Sequence, residues 1–328
     1  MIRTDAHLDP ELFGTEVERN PTRDGFGHGV VEAGKTDKNI VVLCADLKES
    51  TRAEWFEKEF PERYVEVGVA EQNLATLAAG FAAAGKIPFI ASYACFSPGR
   101  NYEQIRTTIA LNNRSVKVMG MHAGVSVGPD GATHQMLEDI ALMRALPRMT
   151  VIVPADAEEA RKAVVAAAQI PGPVYIRFSR AATPVFTTTK TPFSVGTALT
   201  LWESTKPEVA LIAAGALVHE ALLAARLLDA EGIGTVVINL HTVKPLDEEA
   251  LVRAAKHIGR VVTIEEHQAA GGVGSAVAEC LARRFPVPMR FVAVHDRFGE
   301  SGEPAELIAH FGLDAEAIVR AARELSEL

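Results

Sequence analysis

The chain has 328 residues, of which 48% are hydrophobic, so it can bury a large core, and its length suggests two domains. Its formal net charge of −9 at pH 7 argues against nucleic acid or an anionic membrane as the main partner, because both attract basic surfaces. The three cysteines are far apart, odd in number and form no CxxC pair, so neither a disulfide framework nor a zinc site is implied.

The beginning of the chain contains no obvious targeting signal. The first residues, MIRTDAHLDPELFG, are polar and acidic and lack the apolar segment of an export signal. No run of about 18 apolar residues, the length needed to span a bilayer, occurs in the sequence. The sequence therefore predicts a soluble, cytoplasmic protein without a membrane partner.

In the first half of the chain, short β-branched runs alternate with helical segments. The predicted strands are 39–46, 63–67, 86–93, 115–121, 149–154 and 173–178. The predicted helices are 71–84, 101–112, 137–145 and 156–169, the last with Asp156 as its N-cap. This alternation predicts a doubly wound, parallel α/β domain over residues 1–180.

A second α/β domain is predicted over residues 206–328. Residues 181–205 lose the pattern and are rich in Thr, Pro and Ser, which is typical of a linker. The strands expected after it are 208–214, 234–240, 259–266 and 289–294, and the helices are about 218–230, 246–256, 274–284 and 314–327. The predicted fold class is α/β, with two doubly wound domains and mostly parallel sheets.

Polar residues follow several strands of the first domain. Ligands of such sheets bind in the crevice at the carboxyl ends of the strands, so these residues should share one rim. They are Asp46 and Ser50 after the first strand, Glu71 after the second, Tyr93 and Phe96 at the third, His122, Asp130 and His134 after the fourth, and Arg180 after the last.

Glu71 begins a segment, EQNLATLAAGFAAAG, that is otherwise almost wholly apolar. The apolar residues cover nearly the whole circumference of the predicted helix, which should therefore be buried on all sides. A buried carboxylate is costly unless it meets a hydrogen-bond donor, so Glu71 is a candidate functional residue. The alternative is that Glu71 only complements the helix dipole at the first turn.

The glycine-rich loop 122–135 holds His122, Asp130 and His134. Histidines can transfer protons or hydrogen-bond to hydroxyl groups. A metal site is less favoured, because the two histidines are far apart and form no HxH or HxxxH element. The segment GPDGATH is also consistent with a simple turn.

Arg23, Ser50 and Arg180 form a candidate anion site, since guanidinium groups suit phosphate. Each of them taken singly is also typical of a solvated surface. Phe96 suits stacking on a flat ring, although a lone Phe most often packs in a core. In the second domain, AAGGVGSAVAECLA (269–282) is similar to a dinucleotide loop, but the pattern is incomplete and close helix packing is favoured.

Several of these segments resemble one known family. The first half of the chain resembles the pyrimidine-binding domain of transketolase and its thiamine-diphosphate relatives. The segments that carry this resemblance are VGVAEQNLATLAAGFAAAG, YACFSPGRNYEQIR, MHAGVSVGPDGATHQMLEDIALMRALPRMTVIVPAD and VYIRFSR. VTIEEHQAAGGVGSAVAE resembles the C-terminal domain of the same enzymes. The resemblance covers nearly the whole chain, and the AEQ helix and DGxTHQ loop occur together at the family spacing.

The resemblance implies roles for the cofactor-facing residues. In that family, the glutamate at the position of Glu71 hydrogen-bonds N1′ of the cofactor's aminopyrimidine and so promotes formation of the thiamine diphosphate ylid. By the same correspondence, Phe96 stacks on the pyrimidine, with Tyr93 nearby. Asp46 is expected close to the cofactor, across the interface between two subunits.

The resemblance also implies substrate residues. His122, Asp130 and His134 fall where transketolases contact the sugar hydroxyls, and His134 is expected to take part in catalysis. Arg23, Ser50 and Arg180 fall where these enzymes hold the phosphate. Enzymes that make 1-deoxy-xylulose 5-phosphate usually have arginine at the position of His122, and β subunits of 2-oxo acid dehydrogenases lack the DGxTHQ form.

One departure from the family decides the predicted assembly. A complete transketolase begins with a domain whose GDG motif and a later Asn bind the metal ion that coordinates the diphosphate. Here the related triplet, Pro129-Asp130-Gly131, belongs to the substrate loop, and only about 40 residues precede the first clear strand. The chain is therefore predicted to be the C-terminal subunit of a split transketolase, with no metal ligand of its own.

The expected partner is a GDG-containing N-terminal subunit that holds Mg²⁺ or Ca²⁺ and shares thiamine diphosphate in an α2β2 heterotetramer. The expected reaction moves a two-carbon ketol unit from a ketose phosphate to an aldose phosphate, as in the pentose phosphate pathway. Two alternatives stay open. One is half of another thiamine-dependent enzyme, such as a 1-deoxy-xylulose 5-phosphate synthase or a 2-oxo acid dehydrogenase; the other is a non-catalytic regulatory remnant.

Overall fold

Two open, mostly parallel β-sheets organise the chain in a computed structural model that describes residues 1–327. Six strands of the first sheet are β1 (Ile40–Cys44), β2 (Tyr64–Glu66), β3 (Ile87–Tyr93), β4 (Lys117–Met121), β5 (Thr150–Ile152) and β6 (Val174–Arg177). They are parallel and lie in the order β2-β1-β3-β4-β6-β5. Strands β1, β4 and β6 are buried along their whole length, as expected when helices cover both faces of a sheet.

The second sheet is built from the later part of the chain. The strands found there are β7 (Leu199–Glu203), β8 (Pro207–Ala213), β9 (Gly234–Asn239), β10 (Thr242–Lys244), β11 (Val261–Gln268) and β12 (Met289–Val294). Five of these strands form the second sheet, in the order β12-β11-β8-β9-β7, and the edge strand β7 is antiparallel to β9. Strand β10 instead pairs antiparallel with β5, so it completes the first sheet as its seventh strand.

Helices connect the strands of both sheets. They are α1 (Thr22–Thr36), α2 (Lys48–Thr51), α3 (Ala53–Glu59), α4 (Glu71–Ala83), α5 (Tyr102–Gln104), α6 (Asp139–Ala145), α7 (Ala157–Gln169), α8 (Leu217–Ala230), α9 (Glu248–Ile258), α10 (Val273–Arg284), α11 (Pro304–His310) and α12 (Ala315–Ser326). A π-helical stretch, Ile105–Ala110, continues directly from α5. Among the described residues, no helix combines the length and hydrophobicity that a membrane span requires.

The predicted fold class is confirmed, and each predicted strand is present with bounds shifted by a few residues. The helix expected at 101–112 is a short α-helical turn followed by the π-helical stretch. The sequence pattern does not predict α1, because its glycines lower helix propensity. Those glycines serve close packing on α7: a Cβ on Gly25 would overlap the carbonyl oxygen of Ala157, and one on Gly29 would lie 2.8 Å from that of Arg161.

The linker predicted at 181–205 differs from the structure. Strand β7 lies within it and pairs with β9, and residues 183–184 pair with residues 19–20. The reason is that the five residues of β7, LTLWE, are too few to establish a hydrophobic period beside a segment rich in Thr and Pro. The predicted domains 1–180 and 206–328 are also interleaved, since β10 comes from the second and completes the sheet of the first. One hydrophobic cluster contains residues of both, including Leu43 and Ile212.

Asp156 connects the start of α7 to the segment around Phe186 and Thr187, which lies between the two sheets in the chain. As predicted, it caps α7, and its Oδ1 accepts from the backbone N of Glu159 at 2.9 Å. It also accepts from the backbone N of Phe186 at 2.9 Å, and from the backbone N and hydroxyl of Thr187 at 2.6 and 2.7 Å. The carboxylate is fully buried, so its removal would leave several buried donors unpaired.

We therefore expect Asp156→Ala to lower the free energy of unfolding by about 3 kcal/mol or more, as measured by urea denaturation. Asp314→Ala is the matched control, because Asp314 caps α12 through a single bond from the backbone N of Ala317. Its expected loss is about 1 kcal/mol. Equal losses in the two variants would contradict the role assigned to the additional bonds of Asp156.

Candidate active site

A pocket of about 390 Å³ lies at the carboxyl edge of the first sheet, where ligands of parallel α/β sheets are expected to bind. Six of the predicted site residues line it: Arg23, Ser50, Tyr93, His122, Asp130 and Arg180. Glu49 and Arg52 complete the lining. We refer to it as the anion pocket. The structure thus brings together residues that are up to 157 positions apart in the chain.

Arg23 and His122 form a direct contact in the anion pocket. The Nη1 of Arg23 lies 2.8 Å from the Nε2 of His122 and also donates to the backbone carbonyl of Ser50 at 3.0 Å. A guanidinium group has no acceptor, so Nε2 of His122 accepts and the ring proton is on Nδ1. His122 is 1% exposed and has a positive φ of 54°. The contact fixes the orientation of an uncharged imidazole.

The surroundings of His122 oppose its protonation. Burial, followed by the positive charges of Arg23 and Arg180, lowers the pKa of His122 from 6.5 to about 3. Of the two roles considered from the sequence, proton transfer near neutral pH and hydrogen bonding to hydroxyls, the structure supports the second.

Three guanidinium groups converge on this pocket. Burial and the nearby charges of Arg52 and Arg180 lower the pKa of Arg23, and its buried Nε has no hydrogen-bond partner among the described residues. The Nη1 of Arg180 donates to the backbone carbonyl of Val127 at 2.7 Å, and the Nε of Arg52 donates to Asp24 at 2.7 Å. Such a cluster of like charges is suited to an anionic ligand, which would relieve the mutual repulsion.

An aromatic surface continues from the anion pocket. The ring of Tyr93 stacks on His122 with a centroid separation of 4.0 Å and lies nearly parallel to Phe96 at 5.9 Å. The imidazole of His134 meets the ring of Phe96 edge-on at 5.5 Å. Phe96 is therefore half-buried beside the candidate site and not in a core cluster, which favours the stacking role over core packing.

Glu71 is connected to this aromatic surface through Arg100, which contacts both Glu71 and Phe96. It is 3% exposed, and its Oε2 lies 3.3 Å from the Nη1 of Arg100. The guanidinium of Arg100 stands 5.3 Å from the centroid of the Phe96 ring. Asn101 donates to the backbone carbonyl of Glu71 at 2.8 Å and so anchors the start of α4. The carboxylate is thus buried next to the aromatic surface.

The prediction that α4 is buried on all sides is wrong. One face of the helix is exposed; its residues are Gln72, Asn73, Thr76, Leu77, Gly80 and Ala83. Just before the helix, Val69 is 71% exposed. Ala and Gly tolerate either environment, so their abundance did not distinguish a buried face from an exposed one.

Asp46 is the predicted site residue that the structure leaves outside both the anion pocket and the aromatic surface. Its side chain is exposed at a positive φ of 58°, and its backbone N donates to the Oε1 of Glu66 at 2.8 Å.

Three residues of the site, Arg52, Glu49 and Arg100, are not predicted from the sequence. All three are close in sequence to predicted site residues, since Glu49 and Arg52 lie on either side of Ser50, and Arg100 ends the segment YACFSPGR that contains Phe96.

The glycine-rich segment 269–282 does not form a dinucleotide loop. The backbone N atoms of Val273 and Gly274, at the start of α10, donate to the carboxylate of Glu265 at 2.6 and 2.7 Å. A Cβ on Gly274 would lie 2.5 Å from the ring of Phe291. The chain's own carboxylate therefore takes the place of a phosphate, and the interpretation of these glycines as close packing is confirmed. Within residues 1–327, no group of three or more His, Cys, Asp or Glu side chains could hold a metal ion.

The low pKa of His122 predicts a pH dependence of stability. In the unfolded chain His122 takes up a proton near pH 6.5, whereas the folded chain resists it down to about pH 3. This contribution to stability is therefore present above pH 6.5 and is lost as the pH falls. From pH 7 to pH 5, the wild type should lose about 2 kcal/mol more unfolding free energy than His122→Asn. If the unfolding free energies of the wild type and His122→Asn, measured by urea denaturation, changed equally with pH, the burial of a neutral His122 would be contradicted.

Comparison with known proteins identifies the family. The sequence model of the family described as "Transketolase, pyrimidine binding domain" matches residues 19–185, and that of "Transketolase, C-terminal domain" matches residues 197–318. The 6-deoxy-6-sulfo-D-fructose transketolase subunit SqwH from Clostridium sp. (strain MSTE9) is 42% identical over 315 residues, which are 96% of this chain and 97% of that protein.

Two further proteins extend this result. An apulose-4-phosphate transketolase subunit from Phocaeicola vulgatus is 39% identical over 303 residues, which are 92% of this chain and 96% of that protein. The solved structure titled "Split gene transketolase, inactive beta4 tetramer" has 44% sequence identity and a TM-score of 0.87, and the match covers 94% of this chain and 99% of that one. The chain therefore belongs to the transketolase family of transferases and corresponds to the C-terminal half of a two-chain transketolase.

Proposed function

We propose that this chain builds the sugar-binding side of a transketolase active site and that the enzyme transfers a two-carbon ketol unit between anionic sugars. The observation that carries the proposal is the convergence of Arg23, Arg52 and Arg180 on one pocket beside an aromatic surface and a buried carboxylate. The relatives support an anionic sugar, because one is named for a sulfonated fructose and another for a sugar phosphate.

The residues present fit thiamine diphosphate. Phe96 and Tyr93 offer a flat surface for its aminopyrimidine, and Glu71 lies beside that surface as a buried acceptor. When bound, the cofactor supplies the nucleophilic carbon that ketol transfer requires. In this proposal, the carboxyl group of Glu71 would share one proton with the ring nitrogen of the aminopyrimidine, which is itself an acceptor, and Asp46 would lie near the cofactor at the interface between two subunits.

The anion pocket would hold the sugar. Arg23, Ser50 and Arg180 bind its phosphate or sulfonate group, while Asp130 accepts hydrogen bonds from its hydroxyls. His122, kept neutral by burial and by the charge of Arg23, contributes hydrogen bonds and not a proton. His134, whose ring meets that of Phe96 edge-on, is the proposed proton-transfer group of the reaction.

The proposed partner is a GDG-containing subunit that supplies the diphosphate site and its Mg²⁺ or Ca²⁺. A solved structure of a related chain is titled as a split gene transketolase, which supports the proposal of a second chain. The exposed face of α4, which includes Leu77, is proposed to receive the partner together with the exposed Val69 just before the helix. We propose an α2β2 assembly in the cytoplasm. The names of the relatives do not support an assignment to the pentose phosphate pathway in particular.

The two alternatives drawn from the sequence are less favoured. Relatives that match nearly the full length of this chain are named as transketolase subunits. Retention of the anion pocket together with Glu71 and the aromatic surface argues against a non-catalytic remnant.

Glu71→Gln tests the proposed cofactor role. In the complex with the partner subunit, and with saturating thiamine diphosphate, we expect kcat to fall by about 100-fold or more, because an amide oxygen is a much weaker base. Glu103→Gln is the matched control, since Glu103 is exposed on the neighbouring α5 and should leave kcat unchanged. Circular dichroism and size-exclusion chromatography report fold and assembly. Full activity of Glu71→Gln in an intact complex would refute the role.

Arg180→Gln tests the proposed anion site. We expect KM for an anionic ketose to rise about ten-fold or more, with little change in kcat, because the lost interaction is made equally in the ground and transition states. The KM for the corresponding neutral sugar should hardly change. Arg148→Gln, at an exposed position outside the pocket, is the control. An unchanged KM for the anionic sugar would place its charged group elsewhere.

A further inference from the structure

The loop 122–135, which carries three of the proposed sugar-binding residues, packs against the second half of the chain. It follows β4 of the first sheet, and residues 121–128 are all buried. A Cβ on Gly131 would lie 2.5 Å from the Oγ of Ser301, in the segment before α11. The conformation of this loop therefore depends on contacts with residues far from it in the sequence.

One of these contacts is made by the side chain of Glu266, near the end of β11. Glu266 is 5% exposed, and its Oε1 accepts from the backbone N of Ser126 at 2.5 Å. A Cβ on Gly124 would lie 2.3 Å from the same oxygen, and Gly124 has a positive φ of 96°. Both conditions favour glycine at position 124. The carboxylate of Glu266 is thus in direct contact with the backbone of the loop.

A second link joins the loop to the segment before α11. The Nε2 of Gln135, which is buried, donates to the backbone carbonyl of Glu300 at 2.8 Å. It also lies 3.1 Å from the carbonyl oxygens of Val125 and Gly128, within the loop itself. The loop is therefore held both at its beginning and at its end.

The contact at Ser126 leads directly to the anion pocket. The carbonyl of the next residue, Val127, accepts from the Nη1 of Arg180 at 2.7 Å. Within residues 1–327, no other hydrogen bond holds the guanidinium group of Arg180. A shift of the backbone at positions 126–127 would therefore move this group, and displacements of about 1 Å are enough to impair a binding site.

The neighbouring residue, Glu265, provides a comparison within the same strand. It is 1% exposed, and its carboxylate accepts from the backbone N atoms at the start of α10, without contact to the loop. The backbone of Glu266 is itself fixed, because its carbonyl accepts from the Nη2 of Arg177 at 2.7 Å. The two adjacent carboxylates thus hold different parts of the molecule.

We propose that Glu266 is a positioning residue of the active site: its carboxylate fixes the loop at Ser126 and, through the next residue, the guanidinium group of Arg180. This inference rests on the proposed function, in which Arg180 binds the charged group of the sugar. Glu266 lies outside the lining of the anion pocket, so it acts without touching the sugar. Because its partner is a backbone N–H, the role depends on the reach of the acceptor oxygen and not on the charge.

Three conservative variants separate reach from charge. Glu266→Asp keeps the charge but withdraws the acceptor by one methylene, whereas Glu266→Gln keeps the reach and an acceptor oxygen without the charge. Glu265→Asp makes the same shortening at the neighbouring position. In the complex with the partner subunit, we expect Glu266→Asp to raise KM for an anionic ketose about ten-fold, with a smaller change in kcat.

Glu266→Gln and Glu265→Asp should keep this KM within about three-fold of the wild type. An equal rise in Glu266→Gln would show that charge and not reach matters, and would overturn the proposal. An equal rise in Glu265→Asp would overturn it as well, because the effect would then be a general consequence of shortening a buried carboxylate.

Hydrogen–deuterium exchange of the full chain, followed by mass spectrometry, tests the contact without any assay of activity. In peptides that cover the loop, Glu266→Asp should speed the exchange of backbone amides about ten-fold or more, because the loop opens more often. Glu265→Asp should leave the exchange of these peptides unchanged. Unchanged exchange in Glu266→Asp would overturn the assigned contact.

The variant Arg180→Gln distinguishes failure of this inference from failure of the proposed function. In the Arg180→Gln background, Glu266→Asp should raise KM by less than about two-fold, since residues that act through one another are not additive. A full additional effect would overturn the proposal. If Arg180→Gln raises KM and Glu266→Asp does not, the inference is wrong and the proposed anion site stands; if neither does, the anion site itself is wrong.

Discussion

The burial of one carboxylate constrains the whole candidate site. Glu71 begins α4 at the carboxyl edge of the first sheet and is 3% exposed. A charge in that position requires compensation, which Arg100 supplies at 3.3 Å while its guanidinium also lies against Phe96. The helix, the aromatic surface and the loop after β3 are therefore positioned together. The chemistry proposed for Glu71 depends on this burial beside Arg100 and Phe96.

Electrostatics at this rim are opposite to those of the whole chain. The formal net charge is −9, yet Arg23, Arg52 and Arg180 face one pocket, and burial together with the charges of Arg23 and Arg180 keeps His122 uncharged beside them. In the proposed function, recognition of an anionic sugar is therefore a local property, built from α1 and from loops that follow different strands.

Much of this arrangement could be predicted from the sequence. Continuous apolar runs located the central strands, and the rule that ligands bind at the carboxyl ends of parallel strands brought five predicted residues of the anion pocket to one rim; the sixth, Arg23, lies on α1. What could not be predicted depends on tertiary contacts. Strand β10 crosses to the first sheet, α1 exists because its glycines pack on α7, and Arg100 is recognisable only through its contact with Glu71. The low pKa of His122 likewise depends on burial, which no local pattern records.

We propose that this chain supplies one part of a cofactor site and that a second polypeptide completes it. Calorimetric titration of thiamine diphosphate with Mg²⁺, into the chain alone and into its mixture with a GDG-containing transketolase subunit, tests this division most directly. Tight binding is predicted in the mixture and not in the chain alone. Tight binding by the chain alone would contradict it, because the diphosphate and its metal would then be held by residues of this chain.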